Sequence, residues 1–361
     1  MQSIAQPALQ LDKRTIRAAI KNSESSAEVI HLVYVSDRQP GISRKRKGKI
    51  FYYREGDKKV RAKDHLERIR KLAIPPSWES VWICKLANGH LQATGLDLRK
   101  RKQYRYHTLW SALRNHTKFY RLLAFGKELP NIRKQLEKDL SLPEIPREKV
   151  LAAVVSLLER TNIRVGNAFY EKLYGSFGLT TMKDQHVSIN GSRIKFSFRG
   201  KKGVSHQISL RSNKLAKIVK ACRDIPGKEL FQYYDGQGGT HTIDSGMVNE
   251  YIRKISCGDF TAKDFRTWTG SVHALLAFKE IGWFESEAEM KQKIPAVLDK
   301  VAAELGNTRA VCKKYYVHPI ILDLYVSKKL ERYINELNEG ENELAKFEMA
   351  EKALMKILES N

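Results

Sequence analysis

Four residue types stand along this chain in an order suited to displacement at phosphorus. Arg164 lies in Ile163-Arg164-Val165-Gly166-Asn167, Lys201 and Lys202 follow Gly200, and Arg266 ends Lys263-Asp264-Phe265-Arg266. Asn307 lies in Gly306-Asn307-Thr308, and Tyr315 and Tyr316 close Lys313-Lys314-Tyr315-Tyr316. Phosphoryl transfer spreads negative charge over the equatorial oxygens, so catalysis is mostly positioning and electrostatic stabilisation. A guanidinium stays charged and grips phosphate oxygens through a fixed fork, which makes two arginines a suitable clamp. A hydroxyl is a poor leaving group until it receives a proton, and a lysine on a hairpin tip can deliver one without crowding the phosphate. A phenol with a pKa near about 10 is a weak nucleophile at neutral pH and needs a cationic site to stabilise its anion. An amide can donate a neutral hydrogen bond to a nonbridging oxygen, an interaction worth about 10²–10³ in rate when preorganised. On residue type alone either lysine and either tyrosine can serve, although neighbours on a helix point about 100° apart and only one tyrosine can face the phosphate.

These side chains need a framework, and the pattern supplies one. Residues 29–106 read as short β segments: Val29–Val35, Ile50–Tyr53 after a basic turn, and Val81–Leu86 joined through Asn88-Gly89 to Leu91–Thr94, a hairpin signal. A helix is expected near Asp64–Ala73. After about His107 the texture turns helical, with a Pro-punctuated break at Leu142–Pro146 and a helix at Val150–Arg160 that is apolar on nearly every side. One β island interrupts it. Val187–Ile189, Ile194–Phe198 and Ser205–Leu210 alternate as a three-stranded meander, which puts Lys201 at a hairpin tip. Val248, Tyr251, Ile252 and Ile255 mark another helix, and Thr261-Ala262-Lys263-Asp264 fits a capping box that places Arg266 in the first turns of the next. The expected fold is α+β: a flexible leader over 1–28, a small β-rich domain over 29–107, and a larger mainly helical domain over 108–361 that holds the phosphorus-directed residues. Leu330, Tyr333, Ile334, Leu337, Leu344 and Phe347 fit an acidic amphipathic helix that packs on the core.

Sixty-five Lys and Arg against 40 Asp and Glu leave the 361 residues with a formal charge of +25, which calls for a strongly anionic partner. Residues 330–361 hold eight acidic and four basic side chains, so the remainder carries +29. Nucleic acid leads. Arg44–Lys49 reads equally well as a solvated run, whereas Arg99–Arg105 interleaves Tyr104 with cations in a way that suits bases and sugars as well as phosphates. The four cysteines show no paired spacing, so neither zinc nor a disulfide framework is suggested, and a reducing cytoplasm is expected. No signal-type segment or long apolar run argues for a membrane. A phosphate loop and a compact magnesium-type acidic cluster are not apparent either.

Taken in order, Arg164, Lys201, Arg266, Asn307 and Tyr316 resemble the active site of type IB topoisomerases of the poxvirus and bacterial kind, over about residues 45–320. The resemblance implies that Arg164 and Arg266 grip the scissile phosphate, that Lys201, directly after its glycine in Gly-Lys-x-x-Val-Ser-His, protonates the 5′-hydroxyl, and that Lys263 assists. The family's spacing from Asn307 selects Tyr316 over Tyr315. Asn307 stands where poxvirus relatives have histidine; it keeps the hydrogen bond but cannot transfer a proton. Gln103, Tyr104 and Tyr106 resemble an element that enters the major groove, and Tyr170, six residues beyond Arg164, resembles a further DNA contact. The implied partner is supercoiled duplex DNA, clamped by a monomer in a bacterial nucleoid.

Two rival readings exist. Tyrosine site-specific recombinases share this plan but typically carry His-x-x-Arg at the second arginine, unlike Lys263-Asp264-Phe265-Arg266; a basic architectural protein would not need the ordered set. Because the phosphotyrosine conserves bond energy and cations stand where a metal could, no cofactor and no metal are expected. Plasmid relaxation should proceed at full rate in EDTA without nucleotide, and a strict magnesium requirement for cleavage would contradict this chemistry.

Overall fold

The computed structural model describes residues 23–48, 50–98, 102–117, 119–256, 258–335, 337 and 342–360. Residues 1–22 of the expected leader, Arg99 to Arg101 of the second basic run, Lys49 and Cys257 lie outside them. The chain divides into two compact units at Arg121/Leu122. Among the described residues, no helix is long and apolar enough to cross a membrane.

The first unit opens with α1 (Ser23–Glu28), followed by β1 (Ile42–Lys47), β2 (Ile50–Glu55), β3 (Lys58–Lys59), α2 (Lys63–Lys71), β4 (Glu79–Ile83), β5 (Leu91–Leu96), β6 (Lys102–Tyr106) and α3 (Thr108–Thr117). The strands form one antiparallel sheet in the order β3-β2-β1-β4-β5-β6, which leaves β6 at an edge. Ile42, Val81, Ile83 and Ala93 project from the sheet onto Ile69 of α2. Arg68 of α2 donates to Gln92 Oε1 and to the Cys84 carbonyl, both at 2.6 Å, and so ties helix to sheet. Arg44, from the first basic run, is structural. It lies in β1 and donates to the carbonyls of Ile74, Pro75 and Trp78.

Several expectations need correction. Val29–Val35 is not a strand; it makes one isolated bridge, Val33 to Gly89. Ile30 and Leu32 instead pack with Ala27, Trp110 and Leu113, a burial that overrides their β propensity. That cluster also gives residues 23–28 a helix with a buried Ala27, and it places α3 in the first unit, beyond the 107/108 boundary. The β4–β5 hairpin forms, but its link runs through Cys84–His90 and is longer than an Asn-Gly turn, because the buried amide of Gln92 is shared among the carbonyls of Leu86, Ala87 and Gly89.

The second unit is mainly helical. It contains α4 (Tyr120–Leu140), α5 (Arg147–Thr161), α6 (Ala168–Tyr174), the meander β7 (Val187–Asn190), β8 (Arg193–Arg199) and β9 (Ser205–Arg211), then α7 (Asn213–Arg223), a hairpin of β10 (Gln232–Tyr234) and β11 (Thr240–Thr242), and α8 (Ser245–Ile255). There follow α9 (Ala262–Ile281), α10 (Glu287–Leu305), α11 (Arg309–Tyr315), α12 (Pro319–Val326), α13 (Glu331–Ile334) and α14 (Glu343–Ser360). Helices α5 and α9 are buried along most of their length, which is why their apolar residues show little one-sided periodicity. The meander's alternation is real: Ile194, Phe196 and Phe198 of β8 point inward and the residues between them outward.

The acidic tail belongs to this core. Leu330, Tyr333, Ile334 and Leu337 are buried, as are Ala350, Ala353, Leu354 and Ile357 of α14, whereas Leu344 is 68% exposed and so departs from the expected apolar face. Glu351, only 7% exposed, accepts two hydrogen bonds from Arg133 at 2.9 Å and one from Trp268 Nε1 at 2.6 Å. Arg133 also pairs with Glu159 at 2.8 Å, so α4, α5, α9 and α14 meet at one charge network. Removing one member of such a network strands the others in a poor solvent, although Arg133 keeps 39% of its side chain exposed and can recover some hydration. Glu351→Ala should therefore lower the unfolding free energy by about 2–4 kcal/mol in denaturant titrations; a loss under about 1 kcal/mol would show that the network does not hold the tail.

Candidate active site

The site starts at two helix ends. Helix α5 stops at Asn162, which adopts a left-handed backbone (φ 56°), and α10 stops at Gly306 (φ 56°). Each end leaves carbonyls without intrahelical donors and carries the negative pole of the helix dipole. Arg266 answers both: its guanidinium donates to the Asn162 carbonyl and, at 2.7 Å, to the Leu305 carbonyl. It is set there by α9, whose start is fixed by Asp264 accepting from the Thr261 backbone N–H at 2.8 Å. Arg266 is 5% exposed, and its Nε has no hydrogen-bond partner among the described residues.

Arg164 follows two residues after Asn162. One of its nitrogens donates to the Gly306 carbonyl at 3.0 Å and to Asn307 Oδ1 at 2.6 Å. Burial first, and the like charge of Arg266 second, bring it down to about 10, so it remains a cation at neutral pH. Among the described residues, no carboxylate lies within ion-pairing distance of either arginine. Asn307 has its carbonyl turned to Arg164 while its Nδ2 donates to the Leu305 carbonyl at 3.2 Å, so one amide hydrogen is left to donate elsewhere.

Tyr316 stands just past the end of α11, its ring 5.2 Å from the Arg266 guanidinium, and it is close enough to Arg164 to oppose that arginine's downward shift. Its carbonyl accepts from Ser271 at 3.3 Å, and a Cβ on Gly270 would fall 2.8 Å from the same carbonyl, so the glycine admits this segment. The Tyr315 ring lies under Lys314 instead, at 5.4 Å. Arg164, Arg266, Asn307 and Tyr316 are thus brought together. Lys201 is exposed on a single turn at the β8–β9 tip, with its ammonium 6.0 Å from the Tyr170 ring, and no hydrogen bond joins it to the arginine set. Lys263 is exposed in the first turn of α9.

The residue missed from sequence is His206. Its half-buried ring stacks on Phe198 at 5.1 Å, and burial, then Arg164 and Arg266, hold it below the usual imidazole range. Alternation in β9 could have revealed it, since it shares the inward face with Ile208 and Leu210.

In the first unit, Gln103 donates to Asp97 at 3.0 Å, and the rings of Tyr104 and Tyr106 lie nearly parallel at 5.9 Å, both almost half exposed on edge strand β6. Lys102 sits 5.8 Å from the Tyr104 ring.

Residues 101–350 match the family described as eukaryotic DNA topoisomerase I, catalytic core, and residues 50–97 match the bacterial DNA topoisomerase IB N-terminal domain. DNA topoisomerase 1B of Acanthamoeba polyphaga mimivirus is 32% identical over 79% of this chain and 87% of its own length. The chain belongs to the type IB DNA topoisomerase family. DNA topoisomerase 1B of vaccinia virus (strain Copenhagen) is 25% identical over 70% of this chain and 77% of its own. As a member of that family the chain is an isomerase.

Gly306 combines a left-handed backbone with a close approach to His206. Alanine there would adopt a left-handed conformation and bring its Cβ within 2.3 Å of His206 Cε1. Gly306→Ala should lower stability by about 1–3 kcal/mol and slow topoisomerase activity by about tenfold or more, read by chemical denaturation and by time-resolved plasmid assays. Wild-type activity in this variant would contradict the role given to the Gly306 turn.

Proposed function

We propose that this chain relaxes supercoiled duplex DNA as a monomer, by nicking one strand through a 3′-phosphotyrosine at Tyr316, allowing rotation, and resealing. The observation that carries the reading is a pair of guanidiniums lacking carboxylate partners among the described residues, with Tyr316 and the free amide hydrogen of Asn307 beside them. Such a pair is unfavourable until an anion arrives, and a phosphodiester supplies one. Arg164 and Arg266 stabilise the charge on the nonbridging oxygens, Asn307 donates to one of them, and the same cations favour the phenolate of Tyr316.

Lys201 protonates the departing 5′-oxygen, and Lys263, on the exposed first turn of α9, assists from its side. That no hydrogen bond joins Lys201 to the cluster among the described residues suits a tip that settles when DNA binds. Gln103, Tyr104, Tyr106 and Tyr170 are assigned to DNA contact, the first three along an edge strand whose aromatic and basic side chains suit a groove. Neither ATP nor a metal has a step to perform, since the phosphotyrosine keeps the energy needed for resealing. The nucleoid of a bacterial cell is the setting this reading implies.

Denaturing gels of 3′-labelled and 5′-labelled DNA read the adduct directly. Tyr316→Phe should abolish it while DNA affinity stays within about twofold, because one buried-edge hydroxyl adds little to a contact dominated by phosphates. Tyr315→Phe should keep the adduct. An adduct that persists in Tyr316→Phe, or one attached to the 5′ end, would refute the assignment.

A further inference from the structure

The ring of His206 fills a slot between two glycines that precede two working residues. A Cβ on Gly200, next to Lys201, would fall 2.6 Å from His206 Cδ2, and a Cβ on Gly306, next to Asn307, would fall 2.3 Å from Cε1. Phe198 covers a face of the ring, stacked at 5.1 Å and tilted by only 17°. At the lysine tip, Gly200 donates to the Val204 carbonyl at 2.7 Å and Gly203 to the Gly200 carbonyl at 3.0 Å, and the Lys201 ammonium lies 6.0 Å from the Tyr170 ring. The Asn307 side has its own restraints, since its backbone N–H donates to Ala302 at 2.9 Å and its side chain accepts from Arg164.

We propose that His206 is a positioning residue for the reaction, a flat spacer that sets the Lys201 hairpin against the arginine–asparagine site across Gly306. A glycine on each side is what lets an aromatic ring fit there, and a smaller side chain would leave the hairpin root without its stop. Burial first, and then the charges of Arg164 and Arg266, hold the ring below the usual imidazole range. The inference rests on the roles proposed above for Tyr316 and Lys201. In the step concerned, Tyr316 Oη bonds to phosphorus and its phenolic proton passes to solvent. The P–O5′ bond breaks with its electron pair on O5′, and Lys201 Nζ gives that oxygen a proton. Misplacing the donor slows this proton transfer and leaves the phosphate grip untouched.

A 5′-bridging phosphorothiolate tests this, because a thiol with a pKa near about 8.5 leaves as thiolate without needing a proton. Single-turnover cleavage of ordinary and phosphorothiolate DNA is compared for wild type, Lys201→Ala, His206→Ala, His206→Phe and Gly200→Ala, with unfolding midpoints measured for each. Lys201→Ala should lose about 10²-fold or more on ordinary DNA and regain most of it on the sulfur substrate. His206→Ala should lose about tenfold on ordinary DNA, with DNA affinity within about twofold and the loss abolished by sulfur. His206→Phe should recover at least about threefold of that loss, since it restores a flat ring. Gly200→Ala, which displaces the ring from the opposite side, should copy His206→Ala and keeps the test decisive if that variant folds poorly. A defect of equal size on both substrates, or no defect, overturns the inference while the Lys201 assignment stands. If Lys201→Ala is itself not rescued by sulfur, the proton-donor role proposed for Lys201 fails and the inference falls with it.

Discussion

Two cations held side by side without a carboxylate form the constraint around which the second unit is arranged. Arg164 and Arg266 repel one another, and burial strengthens that repulsion by removing the solvent that would screen it. A carboxylate partner would relieve the pair but would occupy the place an incoming anion must take. The protein uses dipoles instead. The carbonyls of Asn162, Leu305 and Gly306 accept from the two guanidiniums, and all three belong to helix C-termini whose carbonyls would otherwise lack donors. Ending α5 and α10 and seating the arginines are therefore one structural event. A partial charge spread over several carbonyls steadies a cation without neutralising it, so the site keeps a net attraction for phosphate.

That arrangement makes the positions of helix ends, and hence the core behind them, a condition for chemistry. Helix α9 carries Arg266 and is buried on most sides; it must be clamped along its length for its first turns to stay in register with α5 and α10. The clamp includes the Trp268–Glu351–Arg133–Glu159 network, which brings the acidic C-terminal helix against α9, α5 and α4. The low net charge of residues 330–361 follows from this duty. A helix that supplies a buried carboxylate to a half-exposed arginine, and whose other buried residues are Ala350, Ala353, Leu354 and Ile357, has little reason to carry the basic surface found elsewhere.

Local rules made much of this legible in the sequence. The meander came through because burial alternates strictly in β8, and the start of α9 because Asp264 and Thr261 lie at capping distance in the chain. Both arginines were recognisable by type and order. What stayed hidden depends on contacts distant in sequence. Val29–Val35 reads as a strand, yet Ile30 and Leu32 are claimed by Trp110 and Leu113 about eighty residues on. Arg44 looks like part of a solvated run until its three carbonyl partners at Ile74, Pro75 and Trp78 are seen. His206 carries no motif of its own; its place depends on two glycines 106 residues apart closing on one ring. Helix phasing left Tyr315 and Tyr316 open, and it was the end of α11, which sets Tyr316 beneath Arg266, that separated their surroundings.

The charge of the whole chain and the charge of the site act over different distances. Thirty or so excess positive charges outside the tail create a field that attracts any polyanion, but in physiological salt it decays within about 8 Å and cannot select one phosphate from its neighbours. Selection requires geometry. The exposed Tyr104 and Tyr106 of edge strand β6, stacked beside Lys102, offer faces and donors that a smooth basic surface lacks. At the second unit the discriminating element is the uncompensated pair with an oriented amide, whose attraction is strong only for an oxyanion within hydrogen-bond reach. A chain with the same net charge but a carboxylate between Arg164 and Arg266 would still bind polyanions, and would have no vacancy at which a phosphodiester could be activated.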